Sequence, residues 1–156
     1  MRKTHIAPIS QTDPPSDQVW LELDALASVE VTSEQPGYPI ECALLGESPG
    51  WRAAHPGTQI VRMIFDRPQT LRRIWLVFED SENARTQEFV LRWSGGLEPT
   101  VHEIVRQQWN FSPGGSVREA EDYTVQLSEV ATLELIIVPD KSGGDTRASL
   151  RSFRMA

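Results

Sequence analysis

The alternation of apolar and polar positions is clearest over residues 57–78, which read GTQIVRMIFDRPQTLRRIWLVF. The apolar positions are Val61, Met63 and Phe65 in a first run and Ile74, Leu76 and Phe78 in a second. A period of two places each apolar set on one side of a pleated strand. The link DRPQ at residues 66–69 has turn chemistry, because proline fixes φ and has no backbone donor. We therefore predict a β-hairpin over this segment.

The rest of the chain shows further strand patterns and almost no helix. Further alternating or apolar runs cover residues 19–24, 27–33, 89–93, 101–111, 123–127, 133–138 and 147–155. Short runs separated by turn residues are typical of a sandwich or barrel. Strands with one buried face need a second layer to cover it. The pattern therefore predicts an all-β fold of about eight strands, most simply a β-sandwich.

The segments between these runs predict one short helix, two loops and a bulge. Residues 40–45 are expected to form one or two helical turns, which Gly46 would end. Residues 47–56 and 79–86 are expected to be loops. In the last run the phase slips between Leu150 and Phe153, which predicts a bulge there.

Composition divides the chain into a short arm and one domain. Residues 1–17 contain three prolines and show no periodicity, so we predict a flexible N-terminal arm. Residues 18–156 are predicted to form a single β-sandwich domain, since 156 residues are the usual size of one domain.

Charge and cysteine content exclude several classes of protein. The formal charge is -7, which does not favour binding to nucleic acid or to an anionic membrane, although a local basic patch is compatible with it. Cys42 is the only cysteine, so neither an intrachain disulfide nor a cysteine zinc cluster can form. No apolar stretch approaches the roughly 18 residues that span a bilayer. The first residues do not match a secretory signal peptide, so we expect a cytoplasmic protein.

Catalytic patterns are absent from the sequence. His5, His55 and His102 are scattered, without the spacing of a metal site, and Cys42 is expected to be a small buried apolar residue. The glycine pairs of SGG at residues 94–96 and SPGG at 112–115 are not phosphate-binding loops, because neither is followed by a helix-forming segment or by a lysine in the P-loop position. We therefore expect a protein that is not an enzyme and that has no metal or cofactor. An enzyme of unrecognised type is the third hypothesis, which a cleft with two facing carboxylates, or a histidine partnered by serine or aspartate, would favour.

Several short segments, taken in order, resemble a known superfamily. They are ASVEVTS at residues 27–33, IECAL at 40–44, GWRA at 50–53, QIVRMIF at 59–65 and ASLRSF at 148–153. This order resembles the discoidin domains, also called coagulation factor 5/8 type C domains, which are galactose-binding-domain-like jelly rolls. The resemblance implies a jelly-roll β-sandwich. It also implies a non-catalytic binding module whose ligands, often sugars, bind at loops on one end of the sandwich.

The same resemblance leaves the partner and the metal open. Members of the superfamily bind carbohydrates or proteins, so a protein-interaction domain that uses a sheet face or edge is the alternative. Many relatives hold calcium with an acidic residue before the tryptophan and a glutamate near the C-terminus. Here those segments read GESPGW at residues 46–51 and RSFRM at 151–155, so a structural calcium is not expected.

The candidate ligand-binding residues are Tyr38, Trp51, Arg52, His55 and Arg85. A sugar site needs an aromatic face and planar donors or acceptors, which Trp51, Arg52 and His55 would supply from one loop. The alternative is that Trp51 fills the end of the core and Arg52 pairs with a carboxylate. Arg85 would complete a polar rim if its loop lies beside Trp51, and would otherwise belong to a solvated loop.

Overall fold

The computed structural model describes residues 18–97 and 100–156, so the predicted arm over residues 1–17 lies outside the described residues. The elements are α1 (Leu23–Leu26), β1 (Ala27–Val31), α2 (Ile40–Leu45), β2 (Trp51–Pro56), β3 (Gln59–Glu79), β4 (Arg85–Gly95), β5 (Val101–Phe111), β6 (Arg118–Val138), β7 (Arg147–Leu150) and β8 (Ser152–Met155). These eight antiparallel strands confirm the predicted all-β fold.

Two long strands, β3 and β6, pass from one layer of the sandwich to the other. The first half of β3 pairs with β1 and the second half of β6, giving the strand order β1-β3-β6-β4-β5. The second half of β3 pairs instead with the first half of β6 and with β8. Phe78 of β3 stacks on Phe89 of β4 with ring centroids 5.2 Å apart, although these strands are not hydrogen-bonded neighbours. The two halves of β3 therefore face each other across the core.

The predicted hairpin over residues 57–78 is wrong, because both apolar runs belong to the single strand β3. Register shifts between Ile64 and Arg73 mark a bend where the turn-like residues DRPQ lie. Such irregularities bend a strand and increase its twist without reversing it. The bend lets both apolar runs face one core from opposite layers, as the burial of Phe65 and Leu76 shows.

Three further boundaries differ from the sequence pattern. Residues 19–24 form no strand, and one helical turn, α1, begins at Leu23. The runs at residues 123–127 and 133–138 are parts of the continuous strand β6. The phase slip near Leu150 separates β7 from β8, which pair with different strands, β2 and β3. For β7 and β8, the change of pairing partner explains the boundary.

The predicted short helix is confirmed as α2, and Gly46 follows it in the left-handed conformation at φ 71°. Its N–H donates to the carbonyl oxygen of Ala43, as expected for a glycine that ends a helix. The two helices in the described part of the chain have four and six residues, and neither is long enough to cross a membrane.

The core lies between the two layers. The alternating apolar residues of β3 are buried on the predicted face: Val61, Met63, Phe65, Ile74, Leu76 and Phe78. Trp75 and Val77, on the opposite face, are buried as well, so the second half of β3 is covered on both sides. Phe111 is buried, and Trp93 and Trp109 pack against the core.

Candidate functional site

A groove of about 790 Å³ opens at the end of the sandwich where β3 ends and β6 begins. One wall is the outer face of the β2–β7 ribbon, and the other is the loop that follows β3. Residues 51–56 were predicted to be loop, but they form β2 and pair with β7, Trp51 opposite Leu150 and Arg52 opposite Ser149. Alternation along β2 sends Trp51 and Ala53 into the core and leaves Arg52 exposed on the groove side.

Gly50 sets the entry into β2. Its φ is +80°, and a Cβ at this position would lie 2.6 Å from the carbonyl oxygen of Leu150. Only glycine combines that conformation with so close a backbone approach. The chain can therefore press against β7 immediately before Trp51.

Trp51 forms part of the floor of the groove and is only 1% exposed. Its Nε1 donates a hydrogen bond to the carbonyl oxygen of Ser33 at 3.0 Å, which satisfies the one polar atom of a buried indole. The sequence left two roles open for Trp51, a face for sugar stacking or a plug at the end of the core. In the structure it fills the end of the core.

Arg52 and Tyr38 form a stacked pair at the mouth of the groove. The guanidinium carbon of Arg52 lies 4.5 Å from the centre of the Tyr38 ring. Backbone hydrogen bonds tie the two segments together, since the N–H of Arg52 donates to Tyr38 and its carbonyl accepts from Gln35. Within residues 18–97 and 100–156 no carboxylate forms an ion pair with Arg52. The predicted pairing of Arg52 with a carboxylate is thus replaced by a cation–π contact.

The opposite wall is a loop organised by Asp80. One carboxylate oxygen accepts the backbone N–H groups of Glu82 and Asn83 at 2.9 and 3.1 Å, and the other accepts from Nε of Arg85 at 2.7 Å. Burial opposes ionisation, but these hydrogen bonds outweigh it and hold the pKa of Asp80 below its usual value. The loop is therefore built around an ionised aspartate.

Arg85 supports this loop from beneath and does not line the groove. Its side chain is 1% exposed, lies over the ring of Phe111 at 4.4 Å and donates to the carbonyl oxygen of Pro139 at 2.7 Å. The loop lies beside Trp51, which was the condition for Arg85 to complete a polar rim. The guanidinium group of Arg85, however, donates to Asp80 and Gln87 inside the protein.

Three further arginines line the groove: Arg118, Arg147 and Arg151. Nη1 of Arg118 lies 2.9 Å from Glu79, and Nη2 of Arg151 donates to Ser48 at 3.3 Å. Sequence reasoning missed all three because they lie far along the chain from Arg52. The available signal was the alternation RASLR at residues 147–151, which predicts two cations on the polar side of the segment that forms β7 and the residue after it.

The structure brings together only part of the predicted site. Tyr38, Trp51 and Arg52 line the groove, whereas His55 is exposed farther along β2 and lies outside the lining. The binding role of all five predicted residues remains a prediction. In the described part of the chain no group of three or more His, Cys, Asp or Glu residues is placed to hold a metal ion.

Comparison with known proteins identifies the fold. No protein-family model and no curated protein sequence matches this chain. A family 32 carbohydrate-binding module from Clostridium perfringens, solved in complex with GalNAc-β-1,3-galactose, superposes with a TM-score of 0.63 at 14% identity, over 88% of this chain and 99% of that one. The chain has the discoidin-like jelly-roll fold.

Two other solved structures show how widely this fold is used. A pectin-binding carbohydrate-binding module matches with a TM-score of 0.60 at 13% identity, over 83% of this chain and 89% of that one. XRCC1, solved bound to the catalytic domain of DNA polymerase β, matches with a TM-score of 0.58 at 15% identity, over 84% of this chain and 95% of that one. At these identities the likeness establishes the fold, and the ligand must be argued from the site.

Proposed function

We propose that this protein is a non-catalytic carbohydrate-binding module and that the groove beside Arg52 is its sugar site. The observation that carries the proposal is the Tyr38–Arg52 pair, an aromatic ring and a planar cation held together at the mouth of an open groove. The carbohydrate-binding modules that share the fold make a sugar the first ligand class to test.

The groove has the mixture of groups that a sugar requires. Arg52 supplies several fixed donors, and Asn83, Gln35 and Ser149 add amide and hydroxyl groups that both donate and accept. Such groups on two walls can bind neighbouring hydroxyls of one ring, while Trp51 provides a rigid floor.

The absence of catalysis is proposed because two of the three groove carboxylates are already engaged, which leaves Glu82 without a second free carboxylate for acid–base chemistry. Asp80 is engaged by Arg85 and two backbone N–H groups, and Glu79 pairs with Arg118. A general acid needs a raised pKa, and a nucleophile needs free access to its substrate. A carboxylate that already accepts several hydrogen bonds, with its pKa lowered as in Asp80, suits neither role.

The test is a glycan array followed by calorimetry on the sugars that bind. Arg52→Ala should lose at least about tenfold in affinity, because it removes a charge-assisted donor that reaches solvent. Its melting temperature should stay close to that of the wild type, since no ion pair is broken within the described residues. Arg67→Ala is the matched control, an exposed arginine at the bend of β3 that should bind as the wild type does. An array without hits, or an Arg52→Ala variant with unchanged affinity, would contradict the proposal.

A protein-interaction domain is the second candidate. It is favoured by the outer edge of β5, which pairs with no other strand among residues 18–97 and 100–156 and where Val101 is 54% exposed. The sheet face supports it less well, because ion pairs cross that face from Glu30 through Arg62 to Glu134. A large apolar patch would be expected on a face that binds another protein. An array without hits would move this candidate to first place.

A further inference from the structure

The groove reverses the sign of charge that the rest of the protein carries. Its lining includes four arginines and three carboxylates: Arg52, Arg118, Arg147 and Arg151, with Glu79, Asp80 and Glu82. This is a surplus of one positive charge on a chain whose formal charge is -7. A cleft with a charge opposite to its surroundings concentrates ligands of the complementary sign.

The surplus at the groove surface is larger than this count suggests. The charge of Asp80 is cancelled from beneath by Arg85, which does not belong to the lining. Glu79 lies 2.9 Å from Arg118 and 3.8 Å from Arg151, so its charge is shared between two guanidinium groups. Glu82 is then the one lining carboxylate that forms no ion pair within the described residues.

Arg52 and Arg147 are the cations left to meet a ligand. Neither forms an ion pair with a carboxylate of residues 18–97 or 100–156. Arg52 lies opposite Ser149 in the β2–β7 register, and Arg147 is two positions from Ser149 on the same face of β7. Positions two apart on a strand are about 7 Å from each other, so the backbone positions of Arg147 and Ser149 are close enough for both side chains to contact one ligand. Arg52 and Arg147 therefore lie on the same face of the β2–β7 ribbon as Ser149 and line the groove with it.

We propose that the groove selects sugars that carry a carboxylate, such as uronate residues, over their neutral counterparts. This inference rests on the proposed carbohydrate-binding function and names its ligand class. A guanidinium group binds a carboxylate through two parallel hydrogen bonds, a geometry that a neutral hydroxymethyl group or an ester cannot reproduce. Ser149 lines the groove and can bind ring hydroxyls, as can the amide oxygen of Asn83, whose Nδ2 donates to Asp80 at 3.4 Å.

The experiment compares three probes by calorimetry: an oligogalacturonate, the same oligomer fully methyl-esterified, and a sulfated oligosaccharide of similar length. The wild type should bind the oligogalacturonate at least about tenfold more tightly than the ester, and this preference should shrink as salt is raised. Arg147→Gln should lose most of that preference while keeping its affinity for the ester. Arg72→Gln, an exposed arginine of β3 outside the groove, should behave as the wild type does.

The outcomes separate this inference from the function on which it rests. Equal binding of acid and ester, or binding of neutral sugars alone, would overturn the acidic-sugar inference and leave a carbohydrate-binding module. Sulfated and uronate oligomers bound equally well would overturn the choice of carboxylate, because the groove would then recognise negative charge alone. No binding to any probe, together with an array without hits, would overturn both proposals.

Discussion

At the scale of single residues, Gly50 and Trp51 show how one backbone position shapes the end of the sandwich. Gly50 has a left-handed φ and touches the backbone of β7, while Trp51 closes the core behind it. The groove wall on β2 depends on this entry, because Arg52 follows directly and is exposed only while Trp51 is held inward. The binding surface is therefore coupled to a buried neighbour that need not contact a ligand.

Gly50→Ala should be strongly destabilising. Left-handed φ costs a residue with a Cβ about 1–2 kcal/mol, and here the Cβ would also lie 2.6 Å from the Leu150 carbonyl oxygen. Gly57→Ala is the matched control, because φ is +90° there but no atom lies within 4 Å of the added Cβ. Urea unfolding should show the larger loss of stability for Gly50→Ala. Equal losses would mean that the close approach to β7 has no energetic effect.

At the scale of elements, a ladder of charges joins four strands on the outer face of the larger sheet. Glu30 of β1, Arg62 of β3, Glu134 of β6 and Arg92 of β4 lie side by side in register. Nε of Arg62 and Nε of Arg92 donate to Glu134 at 2.7 and 3.0 Å. Burial opposes ionisation of Glu134, but the two arginines outweigh it and lower its pKa.

Glu134→Gln should destabilise the protein by about 1–3 kcal/mol, the usual cost of losing charged hydrogen bonds at a mostly buried site. The side chain of Glu134 is 9% exposed, whereas that of Glu30, at the end of the ladder, is 59% exposed. Glu30→Gln should therefore change stability by less than about 1 kcal/mol. Chemical denaturation of the two variants makes the comparison, and a larger effect for Glu30→Gln would refute the central place given to Glu134.

At the scale of the whole molecule, the sandwich buries a carboxyl group completely, so that water does not solvate it. Glu119 of β6 is fully buried and accepts a hydrogen bond from Nε2 of Gln87 at 3.3 Å. The pKa of Glu119 is raised to about 8, mainly by burial and to a smaller extent by the hydrogen bond and the charge repulsion with Glu121. The folded protein therefore keeps a proton on Glu119 at pH values where the unfolded chain has lost it.

This proton makes stability depend on pH. Since the pKa of Glu119 rises from 4.5 to about 8 on folding, its contribution is fully present below pH 4.5 and is lost as the pH rises through about 8. We expect the melting temperature to fall between pH 5 and pH 9, and Glu119→Gln to flatten that slope. Glu41→Gln, at an exposed position of α2, should keep the wild-type slope. A variant slope identical to that of the wild type would exclude Glu119 as the source.

The sequence by itself determined the class of the fold, the buried faces of most strands and the short helix that ends at Gly46. Alternation with a period of two depends only on the neighbours along a strand, so Val61, Met63 and Phe65 could be assigned to the core without a partner strand. The resemblance to discoidin domains indicated the jelly roll because it depends on the order of short segments along the sequence, which can be compared without knowing how the strands pair.

Only the tertiary structure decided whether turn-like residues reverse the chain or bend it, and which side chains meet at the groove. The residues DRPQ at positions 66–69 are compatible with a hairpin turn, but a second layer of strands requires a bend there. Trp51 became floor and not binding face because β7 pairs with β2 and closes over the core. Arg52 and Arg147 line one groove for the same reason. Strand pairing brings together residues that are far apart in sequence, and a local pattern of apolar and polar positions does not show which strands will pair.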